Sequence, residues 1–128
     1  MNLTEFTNHV IESQKIVAID FDGVIHDDSL GFHDGSIYGE PIDSAFSAIK
    51  KLSKDYKLII YTCKANPNRP LINSKSGIDL IWEWLDQHKM ASYIDNVIWG
   101  KPNAAIYIDD KGYRFQSWDQ TLKDLSVI

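Results

Sequence analysis

Four short apolar runs, KIVAIDF, KLIIYTC, DNVIWG and AAIYIDD, limit what this chain can fold into. Each is the length of a buried strand and too short for a helix. Between the first two lies PIDSAFSAIKKLSKDY, where Ile42, Phe46, Ile49 and Leu52 recur at helical spacing, with Pro41 tolerated in the first turn. Between the second and third lies IDLIWEWLDQHKM, with Ile78, Ile81, Trp82 and Leu85 on one side. This spacing packs Trp82 in the core and leaves Trp84 partly exposed or at a subunit contact. The terminal WDQTLKDLSVI reads as a last short helix, and Phe6, Val10 and Ile11 suggest another at the start.

Strands alternating with helices predict right-handed crossovers and a mainly parallel α/β sheet with helices on both faces. A chain of 128 residues suits one such domain, residues 1–128, with one core. Ligands of these sheets bind at the carboxyl ends of the strands. The first strand ends at Asp20 and Asp22, and the second at Thr62, followed by Cys63 and Lys64. Lys101 follows the third, and the fourth ends at Asp109 and Asp110. A parallel sheet gathers these groups on one edge.

Crowded carboxylates repel, and a divalent cation relieves the repulsion. A few hard oxygen ligands completed by water suit Mg²⁺, and magnesium in turn attracts phosphate. Lys101 can then offset negative charge, and Thr62 can donate to a phosphate oxygen. For Asp20 and Asp22 to serve one site the chain must turn immediately after Asp20, and Gly23 is where such a turn becomes easy. Asp20 would then be the nucleophile and Asp22 would hold the proton for the leaving group. Taken singly, each of these residues reads more simply as a turn, a cap or a solvated side chain. The ordered set points to phosphoryl transfer.

The remaining features bound the function. Formal net charge is −5, against tight nonspecific nucleic-acid binding, which needs clustered basic residues. The single cysteine, Cys63, excludes an internal disulfide and a cysteine zinc cluster and fits a reducing cytoplasm. No run approaches a membrane span, and the first residues lack the pattern of a secretory signal. Ile25 to Pro41 reads as a long loop, with a short hairpin in it, positioned as a flap over the site. Its His26 and His33 read as surface-loop residues without a clear metal partner. Arg69, in NPNRP, stands where it could meet a second anionic group of a substrate, although a solvated loop arginine is the plainer reading.

The sequence resembles the haloacid dehalogenase (HAD) superfamily of phosphotransferases. DFDGV matches its Asp-x-Asp-Gly motif, Thr62 its second motif, Lys101 its third, and Asp109 with Asp110 its terminal acid pair. The resemblance implies a Rossmann-like, doubly wound three-layer α/β/α fold. It implies a phosphomonoester hydrolase with an aspartyl-phosphate on Asp20, and Asp22 as general acid and then base. Thr62 and Lys101 would hold the phosphoryl group, with Lys64 as the substitute for Lys101. Magnesium would be bound by Asp20, the backbone carbonyl of Asp22, and Asp109 or Asp110.

The loops Ile25 to Pro41 and Lys64 to Ser76 are too short for a cap domain. Capless members take large substrates or borrow a neighbouring subunit as a lid, so a homo-oligomer is one expectation. The expected substrate is a nucleotide, a sugar phosphate or a phosphorylated polynucleotide end. Two other readings compete. A receiver-like signalling module would place its acid pair first and its lysine last, which is not the order here. A catalytically silent HAD-like binding protein would not need both Asp20 and Asp22.

Overall fold

The computed structural model describes residues 15–31, 33–109 and 113–126. The expected N-terminal helix on Phe6, Val10 and Ile11 lies outside them, as does Asp110.

Five strands form one sheet: β1 (Ile16–Asp20), β2 (Lys57–Tyr61), β3 (Asn96–Ile98), β4 (Ile106–Asp109) and β5 (Tyr113–Arg114). Their spatial order is β3-β2-β1-β4-β5, and every pairing is parallel. In β1, Val17, Ala18 and Ile19 are all fully buried. Successive side chains of a strand face opposite sides, so both faces of β1 are covered, as a parallel sheet requires. This is a small Rossmann-like α/β fold, and no cap domain interrupts it among the described residues. The two-residue β5 is an addition to the four strands legible in the sequence. Among the described residues no helix is long and apolar enough to cross a membrane.

The chain builds β1, β2 and β3 outward in one direction, then returns to lay β4 on the other side of β1. The reversal falls between β1 and β4, and crevices at such reversals are where open α/β sheets bind ligands.

Helix α1 covers Ala45–Leu52 and starts later than the sequence pattern predicts. The backbone before it is claimed by the preceding loop. The Ile42 N–H donates to the Ile25 carbonyl (2.8 Å), the Asp27 N–H to the Glu40 carbonyl (2.9 Å), and Ser44 turns at φ +68°. The buried face is therefore Ala45, Ala48, Ile49 and Leu52. Phe46, expected on that face, is exposed, its ring T-shaped to that of Tyr93.

Helix α2 covers Gly77–Gln87, opened by a capping box between Ser76 and Asp79. Its buried residues are Ile81, Trp84 and Leu85. The expected roles of the two tryptophans are reversed: Trp84 is buried and Trp82 is only partly so. The reason is tertiary. The Trp84 indole N–H donates to the Gly39 carbonyl at 2.9 Å, so the ring sits beneath the Ile25–Pro41 loop, whose docking leaves no mark in helical periodicity. Helix α3 (Trp118–Leu125) closes the core with Trp118, whose indole N–H donates to the Val24 carbonyl at 3.1 Å.

Candidate active site

Along the β1–β4 ladder Ile19 faces Ile108, so the next rung sets Asp20 beside Asp109 at the carboxyl ends of the strands. Asp20 accepts the Phe21 N–H at 2.7 Å. The chain then turns at once. The Phe21 carbonyl receives the N–H groups of Ile25 (2.9 Å) and His26 (3.0 Å), and the Gly23 N–H donates to the His26 carbonyl at 2.8 Å. Gly23 takes φ +79° here, a conformation that glycine adopts at little steric cost. The turn carries Asp22 to the same place as Asp20, and a hollow of about 340 Å³ is lined by Asp20, Asp22 and Asp109 together.

Asp22 is held by two side chains. Its Oδ1 receives the Lys64 ammonium at 2.8 Å and the His26 Nδ1 at 2.9 Å. Burial pushes the Asp22 carboxyl up, but the hydrogen bonds from His26 and Lys64, with the charge of Lys64, outweigh it and hold the group below the usual carboxylate range.

His26 is fully buried, which corrects its reading as a surface-loop residue. Its ring stacks on Phe21, with centroids 5.2 Å apart, and meets Trp84 edge-on at 5.5 Å. Its Nε2 accepts the Gly39 N–H at 2.9 Å. An accepting Nε2 carries no proton, which assigns the ring proton to Nδ1 as the donor to Asp22. Trp84, Gly39, His26 and Asp22 thus form one chain of hydrogen bonds from helix α2 to the strand-end carboxylate. His33, by contrast, is exposed. The sequence signal for His26 was its placement four residues after Asp22, which becomes a contact only because of the turn at Gly23.

Thr62 follows β2 and is buried. Its N–H donates to the Ile98 carbonyl at 3.1 Å, and its hydroxyl oxygen accepts the Lys64 N–H at 3.2 Å, capping the short turn Cys63–Ala65. That cap aims the Lys64 side chain back at Asp22. Lys101 lies on the other flank, its ammonium 3.3 Å from Asp109 Oδ2 and over the Tyr107 ring at 4.5 Å. The two candidate lysines therefore serve different carboxylates: Lys64, buried, serves Asp22, and Lys101, more exposed, serves Asp109. Asp109 is buried and also accepts the Tyr61 hydroxyl, a partner the sequence reading missed.

Among the described residues no three histidine, cysteine or carboxylate side chains converge tightly enough to form a metal cluster. The donor chemistry nonetheless suits Mg²⁺, which commonly takes one or two carboxylates and fills its shell with water and substrate phosphate. Asp20 and Asp109, side by side at the strand ends, are such a pair.

No family model and no curated protein matches the sequence. Among solved structures, the chain is similar to a hydrolase of the haloacid dehalogenase-like family from Streptococcus pneumoniae, with a TM-score of 0.50 and 13% identity. The match covers 73% of this chain and 65% of that one, so the chain spans about two thirds of its neighbour's length. The strand order, the strand-end acids and this likeness agree: the chain has a haloacid dehalogenase-like fold.

Proposed function

We propose that the chain is a magnesium-dependent phosphomonoester hydrolase that works through Asp20. The observation that carries the reading is the convergence of Asp20, Asp22 and Asp109 on one hollow at the sheet's reversal point, with Lys64 bonded to Asp22.

In the first half of the reaction an Asp20 oxygen attacks phosphorus, the bond to the leaving oxygen breaks, and that oxygen takes a proton from Asp22. In the second half Asp22 takes a proton from water, the water oxygen attacks phosphorus, and the bond to Asp20 breaks to release inorganic phosphate. Bound magnesium would supply positive charge against the phosphoryl oxygens. Held below its usual range, Asp22 is ready for the second half as a base. The first half needs it protonated, and Lys64 provides the means. As the lysine turns toward the phosphoryl group, Asp22 loses a partner that holds its proton affinity down and gains a negative neighbour that raises it. Thr62 and Lys101 add a hydroxyl and a second cation around the same group.

The test is hydrolysis of a generic aryl phosphate with and without Mg²⁺, by wild type and Asp20→Asn. Turnover that needs the metal and disappears in a folded Asp20→Asn protein supports the proposal. Equal rates for the two proteins remove Asp20 from the chemistry.

A further inference from the structure

Both partners of Asp22 bind the same oxygen. The Lys64 ammonium and His26 Nδ1 lie 2.8 and 2.9 Å from Oδ1, and Oδ2 has no hydrogen-bond partner among the described residues. Oδ2 is not buried either, because among these residues the one side-chain polar atom buried without a partner is the Thr121 hydroxyl. The carboxylate thus turns Oδ1 inward, to two donors, and keeps Oδ2 open. Asp22 lines the hollow it shares with Asp20 and Asp109, and Oδ2 is the oxygen it has to offer there.

The two donors differ in how firmly they are held. Lys64 reaches Asp22 on a flexible four-carbon stem and can follow a phosphoryl group. His26 is fixed. Its ring lies parallel to Phe21, within 5°, and is met edge-on by Trp84 and Tyr38 at 5.5 and 5.1 Å. Its Nε2 accepts the Gly39 N–H at 2.9 Å, and the Gly39 carbonyl is tied to the Trp84 indole. Gly39 is itself wedged in place: a Cβ there would lie 2.0 Å from the Asp27 carbonyl oxygen and 3.0 Å from Nε2. With Nε2 committed as an acceptor, the ring proton stays on Nδ1, facing Asp22.

We propose that His26 is a positioning residue for the reaction: it occupies Asp22 Oδ1 throughout the cycle and so reserves Oδ2 for the proton that passes to the leaving group. The proposal rests on the phosphatase reading, which makes Asp22 the acid.

In the first half of the reaction the Oδ2–H bond breaks and its proton goes to the ester oxygen, while Oδ1 keeps its bond from His26. In the second half Oδ2 takes a proton from water. When Lys64 turns toward the phosphoryl group, His26 is the tie that remains. Without it the carboxyl rotates and presents either oxygen, although proton transfer needs the acid within about 2.6–3.2 Å of the oxygen it serves. That loss of aim slows only esters whose leaving oxygen needs the proton. A nitrophenolate leaves without one; a more basic phenolate does not.

The experiment measures kcat/KM with Mg²⁺ for substituted phenyl phosphates, from p-nitrophenyl to p-methoxyphenyl, in wild type, His26→Asn and His26→Gln. Asparagine puts an amide N–H where Nδ1 stood and leaves Gly39 without its acceptor. Glutamine reaches Gly39 and offers Asp22 no donor at Oδ1. His26→Gln is expected to lose at least about tenfold more on p-methoxyphenyl phosphate than on p-nitrophenyl phosphate, and His26→Asn to recover most of that difference. A merely structural role gives the opposite order of variants, since glutamine keeps the loop anchored, and it lowers every ester alike. Equal losses across the series, or no loss, overturn the assignment and leave the phosphatase standing. Nitrogen-15 NMR of the imidazole reads the anchor without turnover: the Nδ1–H tautomer supports it, and the Nε2–H tautomer overturns it. If wild type hydrolyses none of the esters, the phosphatase reading falls, and the tautomer alone decides whether His26 holds Oδ1.

Discussion

Replacing His26 with Phe separates the two jobs of this buried ring. Phenylalanine keeps the stacking on Phe21 and the edge contact with Trp84. It removes both hydrogen bonds, Nδ1–H to Asp22 and Gly39 N–H to Nε2. A bond to a charged acceptor contributes roughly 1.5–3 kcal/mol, and a buried amide left without a partner costs about 1–3 kcal/mol. Gly39 is only partly buried and Asp22 keeps Lys64, so both terms fall toward the low end, and a loss of about 3 kcal/mol is expected. Urea unfolding of a domain this size, with a slope of about 1–3 kcal/mol/M, should show a midpoint lowered by roughly 1–3 M. Turnover should fall as well, since Asp22 is then located by Lys64 alone. An unchanged midpoint together with wild-type kcat/KM would refute the hydrogen-bonded chain from Trp84 to Asp22.

Two further outcomes follow from the same contacts. Because the Asp22 carboxyl is held below its unfolded value, its contribution to stability is complete above the unfolded carboxylate range and is lost as pH falls through the folded value. Thermal unfolding between neutral and acid pH should therefore show a smaller acid loss in Asp22→Asn than in wild type; parallel curves would count against the shift. Gly77→Ala drives a methyl into the Lys64 carbonyl, a contact that only backbone movement relieves. Overpacking of this kind costs about 1–3 kcal/mol, so Tm should drop by several degrees, and an unchanged Tm would place α2 differently.

The sheet was legible because its strands are buried on both sides and written as short apolar runs. The strand-end acids were legible because a parallel sheet delivers every strand's carboxyl end to one edge. Local pattern failed wherever the loop from Ile25 to Pro41 mattered. That loop is closed at its base by the Asp27–Glu40 and Ile42–Ile25 backbone bonds and tied to α2 by the Trp84 indole, interactions with no sequence period. Its docking delays the start of α1, exposes Phe46, buries Trp84 and turns His26 into a site residue. Lys64 was named only as a substitute because its approach to Asp22 depends on the Thr62-capped turn, a feature of three residues. Strand β5 is too short to carry a pattern at all.

The decisive observation concerns Asp20 itself. The protein is quenched in acid during turnover of a phosphomonoester with Mg²⁺, digested, and analysed by mass spectrometry for a phosphoryl group on the peptide that contains Asp20. The proposed chemistry predicts one acyl phosphate at Asp20 in wild type and none in Asp20→Asn. Sustained turnover with the phosphoryl group on another residue, or with Asp20→Asn as active as wild type, would contradict it.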